Sequence, residues 1–117
     1  MATPTGSTAY SLSAGGPIMH PSLNAVVLVP MYPHSLSSRP LVVDADHTFR
    51  VRVVRQRGIL PLVSCDGAVR FHTQAGDDIF IRRRPGPLRL IHPPDHNYYE
   101  TCRSKLGWGN RLTPNHD

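Results

Sequence analysis

Glycine and hydroxyl residues, together with one tyrosine, are concentrated in one segment near the start of the chain, Thr3–Pro17, with the sequence TPTGSTAYSLSAGGP. Glycine allows tight turns and a close approach of a ligand to the backbone, and hydroxyl groups both donate and accept hydrogen bonds. Free N–H groups at the start of a helix attract anions, and the ring of Tyr10 is suited to stacking on a flat base. The segment therefore has the chemistry of a nucleotide site, although it matches neither GxxxxGK[ST] nor GxGxxG.

The same segment also fits a purely structural element. Ser7 is a favourable N-cap, Gly15 is a favourable residue just past a helix end, and Pro17 cannot continue a helix. These signals predict one short helix over Ser7–Ala14 that needs no ligand. The residue types alone leave both interpretations open.

The rest of the chain has few other candidates for catalytic or metal-binding residues. His92, Asp95 and His96 are close in sequence, but two intervening prolines prevent a helical face from aligning them, so we predict no metal site. The two cysteines, Cys65 and Cys102, do not form a CxxC pair, which favours a reducing compartment.

Composition and charge limit the class of protein. The 117 residues suffice for one small domain, and the net charge of +5 favours anionic partners. The N-terminus lacks the pattern of a signal peptide, and no apolar run approaches the ~20 residues that cross a bilayer. We expect a cytoplasmic protein with no membrane partner.

Short apolar runs, separated by Gly, Pro and Asp, recur from residue 25 onward and predict a mainly β, antiparallel, sandwich-like fold. The runs are Ala25–Pro30, Pro40–Asp46, Phe49–Val53, Leu60–Asp66, Ala68–His72, Asp77–Arg84 and Pro87–Pro93. A helix is predicted over Asn97–Leu106, ended by Gly107, and the polar tail after Trp108 is expected to be frayed.

A small basic β domain could also bind nucleic acid, because RNA-binding sheets stack bases on exposed aromatic residues. Here the strands contain only Phe49, Phe71 and Phe80 as aromatic residues. Phe49 and Phe71 alternate with arginine, which predicts that both belong to the core. We therefore expect no nucleic-acid partner.

The segment TPTGSTAYSLSAGGPI resembles the signature of NAD kinases, which phosphorylate NAD+ at the adenosine 2′-hydroxyl. Further segments resemble the bacterial enzymes, in the same order and over essentially the whole chain. They are HPSLNAVVLVPMYPHSLSSRPLVV (20–43), VSCDG (63–67), DDIFIRR (77–83), LIHPPDHNYYET (90–101) and SKLGW (104–108).

The resemblance implies that NAD lies in a cleft between an α/β N-terminal domain and an all-β C-terminal domain. It implies that Tyr10 packs against a ring and that Ser13 forms hydrogen bonds within the site. The NAD-binding residues so implied are Thr8, Ala9, Tyr10, Ser11, Leu12 and Ser13. After SCDG the family usually has a glutamine that can contact ligand across a subunit boundary, whereas this chain has Ala68, which offers no amide.

The resemblance also implies a cytoplasmic homo-oligomer that transfers a phosphoryl group from ATP to NAD+ with Mg or Mn. The family's Gly-Gly-Asp-Gly and Asn-Glu motifs are absent from the 117 residues. We therefore expect residues 1–117 to be the C-terminal, NAD-binding and oligomer-forming part, inactive alone, prone to self-associate, and without a catalytic residue or metal ligand to assign. The alternative is a non-catalytic fragment that holds dinucleotide or modulates full-length subunits.

Overall fold

The computed structural model describes residues 1–31, 39–54, 58 and 60–109. The tail predicted to be frayed lies outside these residues beyond Gly109. The chain divides into two compact units, Met1–Pro85 and Gly86–Asp117. Within the described residues, no helix has both the length and the apolar character needed to span a membrane.

Among its described residues, the first unit contains six strands of four residues each, paired as three antiparallel two-stranded sheets. The prediction of a mainly β, antiparallel fold is confirmed. The strands are β1 (Ala25–Leu28), β2 (Leu41–Asp44), β3 (Phe49–Arg52), β4 (Leu62–Cys65), β5 (Val69–His72) and β6 (Asp78–Ile81). β1 pairs with β2, β3 with β6, and β4 with β5, and a short helix α1 (Tyr10–Ser13) precedes β1.

The start of the chain extends the first of these sheets. Ala2 lies beside Val27 of β1, and their amide N–H groups and carbonyl oxygens exchange two hydrogen bonds of 2.9 Å. Val27 is fully buried and belongs to the core of this unit together with Met19, Ala45 and Val53. The segment of interest therefore begins one residue after a point fixed to the core.

The β4–β5 connection is a turn of the kind that Asp-Gly favours. Asp66 and Gly67 both have positive φ, 51° and 71°, and the Ala68 N–H donates to the Cys65 carbonyl at 3.1 Å. Positive φ at both central residues is the requirement of a type I′ hairpin turn. Asp66 is thus a turn residue.

Two sequence expectations about the β structure are wrong. Pro87–Pro93 forms no strand, and the prolines within it have no N–H to donate to a ladder. Phe71 is 53% exposed rather than part of the core. The alternation of residue types predicts which face of β5 carries Phe71. It does not predict whether another part of the protein packs on that face.

In the second unit, α2 (Tyr98–Leu106) agrees with the predicted helix. The Asn97 side chain accepts from the N–H groups of Tyr99 and Glu100, at 3.0 and 3.4 Å, and so caps the first turn. Gly107 ends the helix with φ of 66°, the left-handed conformation that glycine adopts without strain.

Candidate functional site

The predicted helix over Ser7–Ala14 is divided in the structure into two short helices. A 3-10 helix covers Thr5–Thr8, and α1 covers Tyr10–Ser13. Ala9 separates them with φ −98° and ψ −125°, outside the helical region. The macrodipole is a sum over aligned peptides, so a helix of four residues gives little support to the predicted attraction of anions at its N-terminus.

Ser7 has a different role from the predicted N-cap. Its side chain is fully buried, and its Oγ donates to the Pro4 carbonyl at 2.6 Å and accepts from the Met19 N–H at 3.0 Å. The N-cap of α1 is Ala9, whose methyl side chain cannot accept a hydrogen bond. The prediction for Ser7 is wrong because its hydroxyl forms hydrogen bonds with Pro4 and Met19 rather than with an N–H group of the following helical turn.

Gly16 closes the other end of the segment. Its N–H donates to the Ser11 carbonyl at 2.8 Å, and the residue is buried. A Cβ at this position would lie 2.5 Å from Ser11 Oγ and 2.8 Å from both Ser11 O and Val29 Cγ2. These distances are shorter than van der Waals contact, so only glycine fits without a shift of its neighbours.

The six implied binding residues differ in exposure. Tyr10 is 67% exposed, so its ring is not a core aromatic and is free to meet a ligand. Ala9 and Ser13 are also exposed, and Thr8, Ser11 and Leu12 are half-buried. The segment thus presents Tyr10 and Ser13 outward from a partly buried base.

Ser11 is the member of the segment that points inward. Its Oγ is enclosed and has no hydrogen-bond partner among the described residues. A buried hydroxyl without a partner is destabilising. In this geometry a contact of Ser11 with a ligand would come from its backbone rather than from its hydroxyl.

Arg83 is a cross-link that sequence reasoning missed, since the Arg82–Arg84 run predicts only a solvated strand end. Its guanidinium donates to the Asn24 side chain and forms an ion pair with Asp46 at 2.9 Å. It therefore ties the chain after β6 to the residue before β1 and to the turn after β2. Three arginines in a row give no signal for which one is paired.

The described residues do not fit a resident divalent metal. His92 and His96 stack with ring centroids 3.9 Å apart and planes 8° from parallel, so their in-plane nitrogen lone pairs do not converge on one ion. Within the described part of the chain, no group of three or more His, Cys, Asp and Glu side chains could hold a metal. We route no chemical step through a metal held by these residues.

Comparison with known proteins finds a matching family model and similar proteins. A family model described as the ATP-NAD kinase C-terminal domain matches residues 1–93. The NAD kinase of Pseudomonas putida strain F1 is 60% identical over 117 residues, which are all of this chain and 40% of that protein. The NAD kinase of Pseudomonas syringae pv. tomato is 62% identical over 112 residues, which are 96% of this chain and 38% of that protein.

A solved structure has the same fold. The crystal structure of yeast NADH kinase complexed with NADH matches with a TM-score of 0.75 and 30% identity, covering 94% of this chain and 35% of that one. The chain spans about 40% of the length of the curated relatives it matches. With a family model over most of its residues and relatives at 60% identity, the chain belongs to the ATP-NAD kinase C-terminal domain family.

Proposed function

We propose that this chain is the C-terminal part of an NAD kinase, which transfers a phosphoryl group from ATP to the adenosine 2′-hydroxyl of NAD+ and so makes NADP+. In this proposal the segment Thr8–Ser13 binds the dinucleotide. The observation that carries it is the exposure of Tyr10, 67%, at a position between the buried Ser7 and the buried Gly16. We infer the reaction from the family to which the chain belongs.

Each residue of the segment has a role suited to its exposure. Tyr10 packs its ring against a ring of NAD, and Ala9 allows close approach because it adds only a methyl group. Ser13 and Thr8 offer hydroxyl groups for hydrogen bonds. Ser11 and Leu12 contribute through the backbone and the supporting base.

Catalysis requires groups that this chain does not contribute. Phosphoryl transfer needs a phosphate cradle, a divalent cation and a group that orients or deprotonates the acceptor hydroxyl. The Gly-Gly-Asp-Gly and Asn-Glu motifs that largely supply them in the family are absent from the 117 residues. We therefore propose that the chain alone is inactive, and that it acts with the rest of a longer enzyme in a cytoplasmic homo-oligomer.

Binding of NADH to the chain tests the site. Titration followed by NADH fluorescence should show that Tyr10→Ala weakens binding by about tenfold, the loss of one aromatic contact, while Tyr10→Phe keeps it. Tyr99→Ala is the matched control, since Tyr99 is also an exposed tyrosine, at 53%, and lies in the second unit. Equal affinity in Tyr10→Ala and wild type would contradict the proposed site.

Because Phe71 and Phe80 are exposed, nucleic acid is the competing ligand to exclude. The same titration with single-stranded RNA at two salt concentrations does so, since binding to phosphates weakens steeply with salt. We expect NADH binding to exceed RNA binding at both concentrations. Tight, strongly salt-dependent RNA binding with none to NADH would replace the proposal with a nucleic-acid function.

Complementation tests the kinase activity. The chain is mixed with the separately produced N-terminal part of a Pseudomonas relative, and NADP+ formation from ATP and NAD+ is measured. Recovered NADP+ formation would support the proposed role as part of an NAD kinase. NADH binding without recovery would instead favour the alternative of a non-catalytic dinucleotide-binding fragment.

A further inference from the structure

We propose that Ser7 and Gly16 are positioning residues, which hold the segment Thr8–Ser13 in the conformation that presents Tyr10 to the dinucleotide. The proposal rests on the proposed function of that segment. Neither residue is among those implied to contact NAD. Both act through the backbone of the segment, one at each end.

The first step concerns Ser7, whose hydroxyl joins two separate parts of the backbone. Its Oγ donates to the Pro4 carbonyl at 2.6 Å and accepts from the Met19 N–H at 3.0 Å. Met19 lies twelve residues further along the chain and is itself buried. This bond therefore closes a loop that contains the whole candidate segment, in a place where water does not compete for it.

The second step concerns Gly16, which closes a smaller loop within the first. Its N–H donates to the Ser11 carbonyl at 2.8 Å, and its missing side chain lets Ser11 and Val29 lie against it. Tyr10 is thus carried on backbone fixed on one side by Ser7 and on the other by the Ser11–Gly16 contact. Its own ring remains exposed.

The third step is energetic. A segment already held in its binding conformation loses less conformational entropy when the ligand arrives, so its affinity is higher. Linkage is reciprocal: if the Ser7–Met19 bond favours NADH, then NADH must favour the Ser7–Met19 bond. This gives a measurement that needs no variant.

The first test measures amide hydrogen exchange of the wild-type chain with and without saturating NADH. We expect exchange of the Met19 N–H to slow on NADH binding by more than that of the Ala45 N–H. The Ala45 N–H is the control because it is also hydrogen-bonded, to the Asn24 carbonyl at 3.1 Å, in a buried residue of the same unit. A bond with only a structural role would change no more than the control.

The second test measures NADH affinity of variants. Ser7→Ala removes the hydroxyl that accepts from the Met19 N–H, while the Ser7 backbone N–H still donates to the Pro4 carbonyl at 3.1 Å. We expect affinity to fall by about tenfold or more. Gly16→Ala should lower it in the same direction. Ser64→Ala on strand β4, an exposed serine, is the matched control and should bind as the wild type does.

The outcomes separate this inference from the proposed function. If the wild-type chain binds no NADH, both are overturned. If it binds NADH, but Met19 exchange follows the control and a folded Ser7→Ala binds equally well, only the positioning role is overturned. If Ser7→Ala does not fold, the exchange measurement on the wild-type chain decides.

Discussion

Arg52 and Asp78 lie directly across from each other on the β3–β6 ladder, and their side chains meet at two points. The Arg52 Nε lies 2.8 Å from Asp78 Oδ1, and its Nη2 lies 3.1 Å from Oδ2. The hydrogen-bonded guanidinium of Arg52 holds the pKa of the Asp78 carboxyl below its ordinary value. This ion pair therefore stabilises the sheet only while Asp78 is charged.

Asp78→Asn should lower the urea midpoint of unfolding at pH 7. Because the pKa of Asp78 is lower in the folded than in the unfolded state, its contribution is present above the unfolded pKa and is lost as pH falls through the folded pKa. The difference between variant and wild type should thus shrink below about pH 4. Asp95→Asn, an exposed carboxylate in the second unit, is the control, and a difference that persists unchanged at pH 2 would contradict the assignment.

Gly16→Ala should lower the free energy of unfolding by about 1–3 kcal/mol, the usual cost of an added methyl group in a filled space. Rotation of Ser11 Oγ relieves one short contact, but the Ser11 carbonyl oxygen and Val29 Cγ2, each 2.8 Å from the new Cβ, must still move. Gly6→Ala is the matched control, since its nearest neighbour would be Thr3 Oγ1 at 3.4 Å. Denaturant unfolding of the two variants measures this, and similar values for both would refute the close contact at Gly16.

Ser11→Ala and Ser7→Ala make the same change with opposite expected results. The Ser11 Oγ is enclosed without a partner among the described residues, so its removal should raise the free energy of unfolding by up to about 1 kcal/mol. Ser7→Ala breaks one buried and one partly buried hydrogen bond and should lower it by about 1–3 kcal/mol. Thermal unfolding compares them, and destabilisation by Ser11→Ala would show that its hydroxyl has a partner in solution.

Tyr98 should ionise late in an alkaline titration. Burial, together with the hydrogen bond to Cys102, raises the pKa of Tyr98 to about 12. Its contribution to stability is therefore fully present below the unfolded pKa of about 10 and is lost as pH rises through the folded value. Tyrosinate absorbance should show a step near pH 12 that disappears in Tyr98→Phe and remains in Tyr99→Phe. If Tyr98→Phe leaves that step intact, the assignment is wrong.

Local signals in the sequence predicted much of the fold. The Asn97 and Gly107 signals located α2, and Asp66–Gly67 located the β4–β5 turn, because each depends on a few neighbouring residues. The short apolar runs located the six strands of the described residues, but they also predicted a strand at Pro87–Pro93 that does not form. They did not reveal that Phe71 is exposed, because exposure depends on whether another layer covers the strand.

Sequence reasoning predicted which segment forms the candidate site, but it did not predict the backbone conformation of that segment. The resemblance identified Thr8–Ser13, yet the break at Ala9 and the bond from Met19 to Ser7 depend on contacts between distant residues. Serine before a helical pattern favours an N-cap on average, and the tertiary partner of Ser7 overrode that preference. In the sequence Gly16 is only the second glycine of a pair, and nothing there indicates its close contacts with Ser11 and Val29.

The β4–β5 hairpin lies in the sequence between the paired strands β3 and β6, and this has a consequence for the order of folding. Arg52 and Asp78 are 26 residues apart, and formation of the inner hairpin shortens the loop that their pairing must close. We expect the Asp66–Gly67 turn to form before the β3–β6 ladder. Gly67→Ala, strained at φ of 71°, should therefore slow refolding, measured by stopped-flow circular dichroism, more than it speeds unfolding.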